Sequence, residues 1–283
     1  MSTVGRSPRL ASSTRSKLVH AGLMAGALVY VGALVLAPLF GIVWAVVRAG
    51  WHSVSATFAD PTAIHALYLT AIISVITVVV TGTLGVVVAL VLSRDRFRGR
   101  RLVSALVDLP LAVSPVIVGL MAVLLFGLSG WFHAWFEARG IQIIFAVPSM
   151  VLVTIFICIP FVIREVAPLL EELGTEEEEA ARTLGAGSIQ TFFRITLPNI
   201  RWGLLYGIAL STARSIGEIG AVLLVSGTLT GQTETATLYI LRVFDQGQPD
   251  LGYVMAVTLA LISILLLVAI EIAKHREERQ IRT

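Results

Sequence analysis

Charge is what this 283-residue chain has least of. Asp, Glu, Lys and Arg make up 14% of it, where an ordinary soluble domain carries about a quarter. Lysine is confined to Lys17 and Lys274. Neither follows a Gly-x-x-x-x-Gly run, so the chain has no P-loop and no phosphate-cradling lysine. Cysteine is confined to Cys158, inside an apolar run. That excludes an intrachain disulfide and reads as a buried, inert thiol. The five histidines (His20, His52, His65, His133 and His275) are scattered, with no spacing that would hold a metal. No intramembrane nucleophile–base pair is visible, which argues against an intramembrane hydrolase. No stretch outside the apolar segments is long enough for a soluble domain, and there is no repeat or low-complexity linker.

What the chain does have is apolar length. Hydrophobic residues make up 56% of it, and the mean hydropathy is +0.88. Residues 18–47, 61–93, 140–163 and 251–270 contain no charged side chain. About 20 apolar residues cross the hydrocarbon core of a bilayer. The sequence therefore predicts an all-α membrane protein of six spans, at 21–47, 67–92, 102–128, 143–163, 203–226 and 251–270. Tails 1–20 and 273–283 flank them. The first span is about twice as long as a signal-peptide core and reads as a retained helix.

The net charge of +3 does not imply a nucleic-acid partner, because the positive residues sit at the ends of apolar segments. Four lie in the N-terminal tail, five in SRDRFRGRR at 93–101 and four after Ala273, whereas the alternate loops hold only Arg48, Arg139 and Arg242. This bias places both termini and the 93–101 loop in the cytoplasm, and by parity segment 164–202 too. Trp51, Trp131, Phe132 and Trp135 in the opposite loops suit an interfacial aromatic belt in contact with membrane lipid.

Segment 164–202 carries two short helical patterns. Thr175 reads as an N-cap followed by Glu176–Glu179, where the helix dipole favours acids. The helix runs on through Ala180, Ala181 and Leu184 until Gly185 and Gly187 break it. Ser188 reads as the cap of a second helix, from Ile189 to about Thr196, which Pro198 stops. The tip formed by Ala181, Leu184, Gly185 and Ala186 is small enough for close approach of a partner. A solvated connector is the alternative reading.

The same residues carry a resemblance. Glu179-Ala180-Ala181, three residues, Gly185, nine residues, Ile195, one residue and Leu197-Pro198 match without a gap the EAA motif of ABC importer permeases. IIFAVPSMVL, PFVIREVAPLL, GTEEEEAARTLGA, LPNIRWGLLYGI, ARSIGEIGAVLLVSG and DLPLAVSPVIVGL resemble the sulfate/thiosulfate permease family, in the order of its CysW-type subunit. The resemblance implies a type I ABC importer permease (MetI-like) fold over 63–272, with a coupling segment at 175–198. It implies a multi-pass protein of the bacterial inner membrane, non-catalytic and without a bound cofactor, whose partner chains use ATP and Mg. Those partners would be two CysA-type ATPase subunits, a second, CysT-type permease and a periplasmic or lipid-anchored sulfate-binding protein. In the coupling segment Glu179 would cap or brace the elbow, Gly185 permit its turn and Pro198 end it. Molybdate or tungstate is the alternative cargo, and an ion-coupled secondary transporter is a reading from another class.

Three charges fall inside expected spans. Arg214 and Glu218, in the fifth, are four apart and share a helix face. They read either as a pair that holds the bundle together or as a cation lining an anion's route, tempered by Glu218. Asp108, in the third, precedes Pro110 and Pro115, which should kink that helix. It is a candidate partner for Arg214. In the loop 226–250, residues 235–244 have a helical pattern with Leu238, Leu241 and Phe244 at three-residue intervals. That helix reads as a contact for a binding protein or as a lid over the last hairpin.

Overall fold

The structure is a computed structural model that describes the backbone of residues 14–281 and the side chains of residues 22–273. The positive residues of the two tails, on which much of the expected orientation rests, lie outside the described side chains. Helices α1 (Thr14–Ala59), α2 (Pro61–Arg94), α3 (Arg100–Ala112), α4 (Pro115–Phe126), α5 (His133–Glu137) and α6 (Val147–Leu173) form the first half. Helices α7 (Glu176–Thr183) and α8 (Ser188–Thr191) and a π-helical turn (Phe192–Thr196) lead into α9 (Leu197–Ile216). Helices α10 (Gly220–Val225), α11 (Ala236–Asp245) and α12 (Pro249–Ile281) complete the chain. No strand occurs among the described residues.

Among the described residues, four helices are long and apolar enough to cross a membrane: residues 22–59 of α1, all of α2 and α6, and residues 249–273 of α12. The first, second, fourth and sixth expected spans correspond to these, each longer than expected. Helix α1 runs twelve residues past the expected end and bends at Gly50, whose φ of 76° few other residues tolerate. Helix α12 continues into the expected C-terminal tail, as far as Ile281. The boundary at Asp60 is set locally: its carboxylate accepts the Thr62 backbone N–H at 2.9 Å, and Pro61 supplies a preset helical φ.

The third and fifth expected spans are not continuous helices. Segment 102–128 consists of α3 and α4, bent by 110° at Val113–Ser114. Pro110 is accommodated inside α3, and the break falls where Pro115 forces Ser114 into an extended conformation with ψ 137°. Counted as one broken span, this pair makes a fifth crossing. Segment 203–226 is split between α9 and α10 at Gly217–Ile219.

The bundle is centred on α2, α6 and α9. Val86, Ala89 and Leu92 of α2 pack with Val162, Val166 and Leu170 of α6 and Ile200 of α9. Glycine allows the close approach. A Cβ on Gly85 would lie 2.8 Å from Val162 Cγ1, and one on Gly207 would lie 2.9 Å from Val162 Cα, so Val162 is clasped from both sides. Small residues drive such contacts within a bilayer, where burial of apolar surface between helices gains little. Towards the other end of α2, Leu69 and Ile73 pack with α4, α6 and α10. Ala63 and Ala66 pack with Tyr239 of α11 and Met255 of α12. Helix α1 leans mainly on α12 and leaves Leu28, Val29, Tyr30 and Phe40 exposed, as a lipid-facing helix does.

Candidate functional site

Two places combine buried polar groups with interrupted helices: the elbow from Thr175 to Pro198, and the break between α9 and α10.

In the elbow, Thr175 does not cap α7 through its side chain; its hydroxyl donates instead to Glu179 Oε1 at 2.7 Å. Helix α7 ends in a Schellman motif. The Ala186 N–H donates to the Ala181 carbonyl at 3.0 Å, and the Gly185 N–H to the Arg182 carbonyl at 3.0 Å. That geometry needs a left-handed residue, and Gly185 supplies it with φ 88°. Gly187, rather than Ser188, is the residue before α8.

Pro198 does not end the second helix, contrary to the sequence reading. The chain runs from α8 through the π turn into α9 without a break, and Pro198 sits in the first turn of α9. A π turn widens the helix by one residue, with the Leu197 N–H bonding to the Phe192 carbonyl. The widening relieves the clash that the proline ring would otherwise make with the preceding turn.

Of the residues singled out from the sequence, Glu179, Ala180, Leu184, Gly185 and Pro198 are exposed, and Ala181, Ala186, Ile195 and Leu197 are half-buried. Leu184 is 89% exposed at the tip. Two further large apolar residues of the elbow are exposed, Ile189 (77%) and Phe193 (61%), neither of which the sequence pattern marks. Three large apolar side chains left exposed on one elbow suit a protein partner. A second glutamate, Glu178, braces the elbow from inside. Glu178 is buried, and its Oε1 accepts from Arg94 Nη2 and from the Thr196 hydroxyl, each at 2.9 Å.

At the break, Arg214 lies in the last turn of α9, and its guanidinium is 2.7 Å from Glu218 Oε2. The expected pair therefore forms, but not on one continuous helix. Glu218 is buried in the interruption, and its Oε1 accepts the Ala221 N–H at 2.8 Å, which caps α10. Asp108 is not its neighbour: Asp108 Oδ1 accepts from Arg164 Nε at 2.8 Å. The bend between α3 and α4 sets α3 against α6, so Asp108 meets α6 and lies at the surface. Cys158 is buried and points its thiol at the Ser211 carbonyl, as an inert core cysteine does. Among the described residues no His, Cys, Asp and Glu are grouped so as to hold a metal ion.

The far end of α2 holds a second polar network. Arg242 Nε donates to Glu234 Oε1 at 2.6 Å, Arg242 Nη2 donates to the Thr62 hydroxyl at 3.1 Å, and the Tyr239 hydroxyl donates to Asp60 Oδ2 at 3.2 Å. Burial alone would raise the Asp60 carboxyl. The bonds from Thr62 and Tyr239 and the charge of Arg242 outweigh it and hold that carboxyl below its ordinary range. Burial and the Asp60 charge push the Tyr239 phenol up to about 12. Helix α11 turns Leu238, Tyr239 and Val243 inward, while Leu241 and Phe244 are partly exposed. Its buried stripe follows the helical period rather than the three-residue spacing, and α11 packs as a lid on α12 and α2.

Membrane-length helices, two of the expected spans broken by a short non-helical turn and an apolar-tipped elbow define a membrane transport component. Residues 82–282 match the family described as the inner membrane component of binding-protein-dependent transport systems. The chain is 45% identical over 254 residues to the sulfate transport system permease protein CysW of Synechocystis, across 90% of this chain and 92% of that one. It is 41% identical to the CysW protein of Escherichia coli, across 87% and 85% of the two chains. It is 34% identical to the CysT permease protein of the same bacterium, across 90% and 92%. The fold is that of a chain in the crystal structure of a bacterial alginate ABC transporter in complex with an alginate pentasaccharide-bound periplasmic protein. The TM-score there is 0.78 at 18% identity, over 95% of this chain and 98% of that one. The chain belongs to the family of binding-protein-dependent transport system inner membrane components.

Proposed function

We propose that this chain is one of two permease subunits of an ATP-driven sulfate importer of the bacterial inner membrane. Its carrying observation is the identity of 41–45% to CysW sulfate permease proteins over most of their length, against 34–35% to the CysT ones. The second permease is a CysT-type chain, two CysA-type subunits hydrolyse ATP with Mg, and a periplasmic or lipid-anchored protein delivers the anion. Both termini and the elbow face the cytoplasm. There Leu184 at the Schellman turn, Ile189 on α8 and Phe193 on the π turn seat the elbow on an ATPase subunit. Glu179, Ala180, Ala181, Gly185, Ala186, Ile195, Leu197 and Pro198 build the surface around that contact. Arg214, paired with Glu218 at a helix break, holds α9 and α10 together within the bundle.

The test is radiolabelled sulfate uptake by cells that lack their own CysW-type subunit but retain its partners. The chain is expected to restore ATP-dependent uptake, with thiosulfate competing and molybdate competing poorly. Uptake of molybdate but not sulfate would replace the cargo, and uptake without an ATPase partner would overturn the class.

A further inference from the structure

We propose that Arg94 and Glu178 form a joint that carries movement of the elbow into the core of the bundle. The proposal rests on the reading of the elbow as the ATPase contact and extends it to positioning residues outside the motif.

Four glutamates stand in a row in the first turn of α7, and only Glu178 is buried. Its burial is not dictated by α7 itself, which is polar on every side in that turn. It follows from what meets there. Arg94, the last residue of α2, donates through Nη1 to the Leu170 carbonyl of α6 at 2.8 Å and through Nη2 to Glu178 at 2.9 Å. Thr196, the last residue of the π turn that opens α9, donates to the same glutamate oxygen. One carboxylate and one guanidinium thus connect α7 to the ends of α2, α6 and α9, the three helices clasped around Val162. A largely buried charge pair of this kind, with Glu178 buried and Arg94 half-buried, resists separation, because parting the partners leaves each charge uncompensated. Helix α3 meets the same region through Val103 and Val107, and its charged contacts there, Arg164 with Asp108 and Arg100 with Glu171, lie at the surface. A push on α7 is therefore delivered to α2, α6 and α9 together.

The test uses the full complex of the chain with the second permease, both ATPase subunits and the binding protein in proteoliposomes. Sulfate transported per ATP hydrolysed is read beside the yield of assembled complex. Glu178→Gln is expected to assemble normally and to lower that ratio about tenfold or more, as loss of a charge-assisted bond at a joint predicts. Glu178→Asp should recover part of it. Glu177→Gln, which alters an exposed neighbour bonded to Asn199, should leave it unchanged. Should Glu178→Gln fail to assemble, Arg94→Gln/Glu178→Gln removes both charges at once and is expected to assemble yet remain uncoupled. A normal ratio in Glu178→Gln or in the double variant overturns the joint, as does an equal loss in Glu177→Gln. The reading beneath it is tested separately by Leu184→Asp: ATPase that still co-purifies with that variant contradicts the elbow as the contact.

Discussion

Glu218 stands two residues beyond the helix that carries Arg214, yet its carboxylate reaches back to within 2.7 Å of the guanidinium. The same side chain accepts the Ala221 N–H and starts the next helix. One glutamate thus both neutralises a cation inside an expected span and closes the gap between two helices. A charge left alone there costs at least about 2.5–3.5 kcal/mol on insertion scales.

Two substitutions separate these roles. Glu218→Gln keeps an acceptor for Ala221 but leaves Arg214 unpaired, whereas Glu218→Ala removes both functions. Thermal unfolding in detergent should rank them wild type, Gln, then Ala, with the last step about 0.5–2 kcal/mol, the usual worth of a helix cap. Adding Arg214→Gln to Glu218→Gln should recover stability. No recovery in the double variant would show that the ion pair is not what Glu218 supplies.

Gly185 has open space where a Cβ would go, so its constraint is its φ of 88° alone. Gly185→Asn should retain most transport, because asparagine tolerates the left-handed region, while Gly185→Ala should lose about 1 kcal/mol locally. Gly185→Asp is expected to insert in the membrane yet abolish ATPase stimulation and uptake, since it also sets a carboxylate into the docking tip. Normal uptake by Gly185→Asp refutes the docking role.

Gly119 lies mid-helix in α4, where alanine would ordinarily be favoured by about 1 kcal/mol. A Cβ there would stand 2.7 Å from the Ala221 carbonyl oxygen and 3.0 Å from its Cα. Gly119→Ala should therefore destabilise the α4–α10 contact by about 1–3 kcal/mol. Gly82→Ala, whose Cβ would meet Ile208 at an ordinary 3.6 Å, should be neutral or stabilising. The thermal midpoints of the two variants test this, and equal shifts would contradict the packing described.

Asp60 sits outside the membrane-spanning stretch, with a carboxyl held below its ordinary range by Thr62, Tyr239 and Arg242 against the opposing effect of burial. A depressed carboxyl contributes stability that is present above its ordinary value of about 4 and is lost as pH falls through its folded value. Wild-type stability should therefore decline more steeply than that of Asp60→Asn below about pH 4, with the two running parallel from about pH 5 to 8. Identical slopes in acid would sink this assignment.

The long apolar runs made α1, α2, α6 and α12 legible, because composition alone marks a segment that must hide its backbone from lipid. The breaks were less so. Pro110 and Pro115 announced a disturbance but not a 110° bend at Val113–Ser114, and Gly217 was the unheeded sign of the gap beside Glu218. Pro198 read as a stop because the π turn that accommodates it has no sequence signature. The Arg214–Glu218 pair was visible from its spacing. The brace at Glu178 was not, since four adjacent glutamates look alike until Arg94, 84 residues earlier, selects one. Leu184 was seen as part of the tip; Ile189 and Phe193 became visible only once the elbow's exposed side was known.

The most direct measurement is sulfate uptake into proteoliposomes holding this chain, a CysT-type permease, a CysA-type ATPase pair and a sulfate-binding protein, with and without ATP and with Leu184→Asp in place of the wild type. Uptake that requires ATP and the binding protein, and that falls with ATPase co-purification in Leu184→Asp, is the expected result. Sulfate uptake that proceeds without ATP, or a Leu184→Asp chain that transports as well as the wild type, would contradict it.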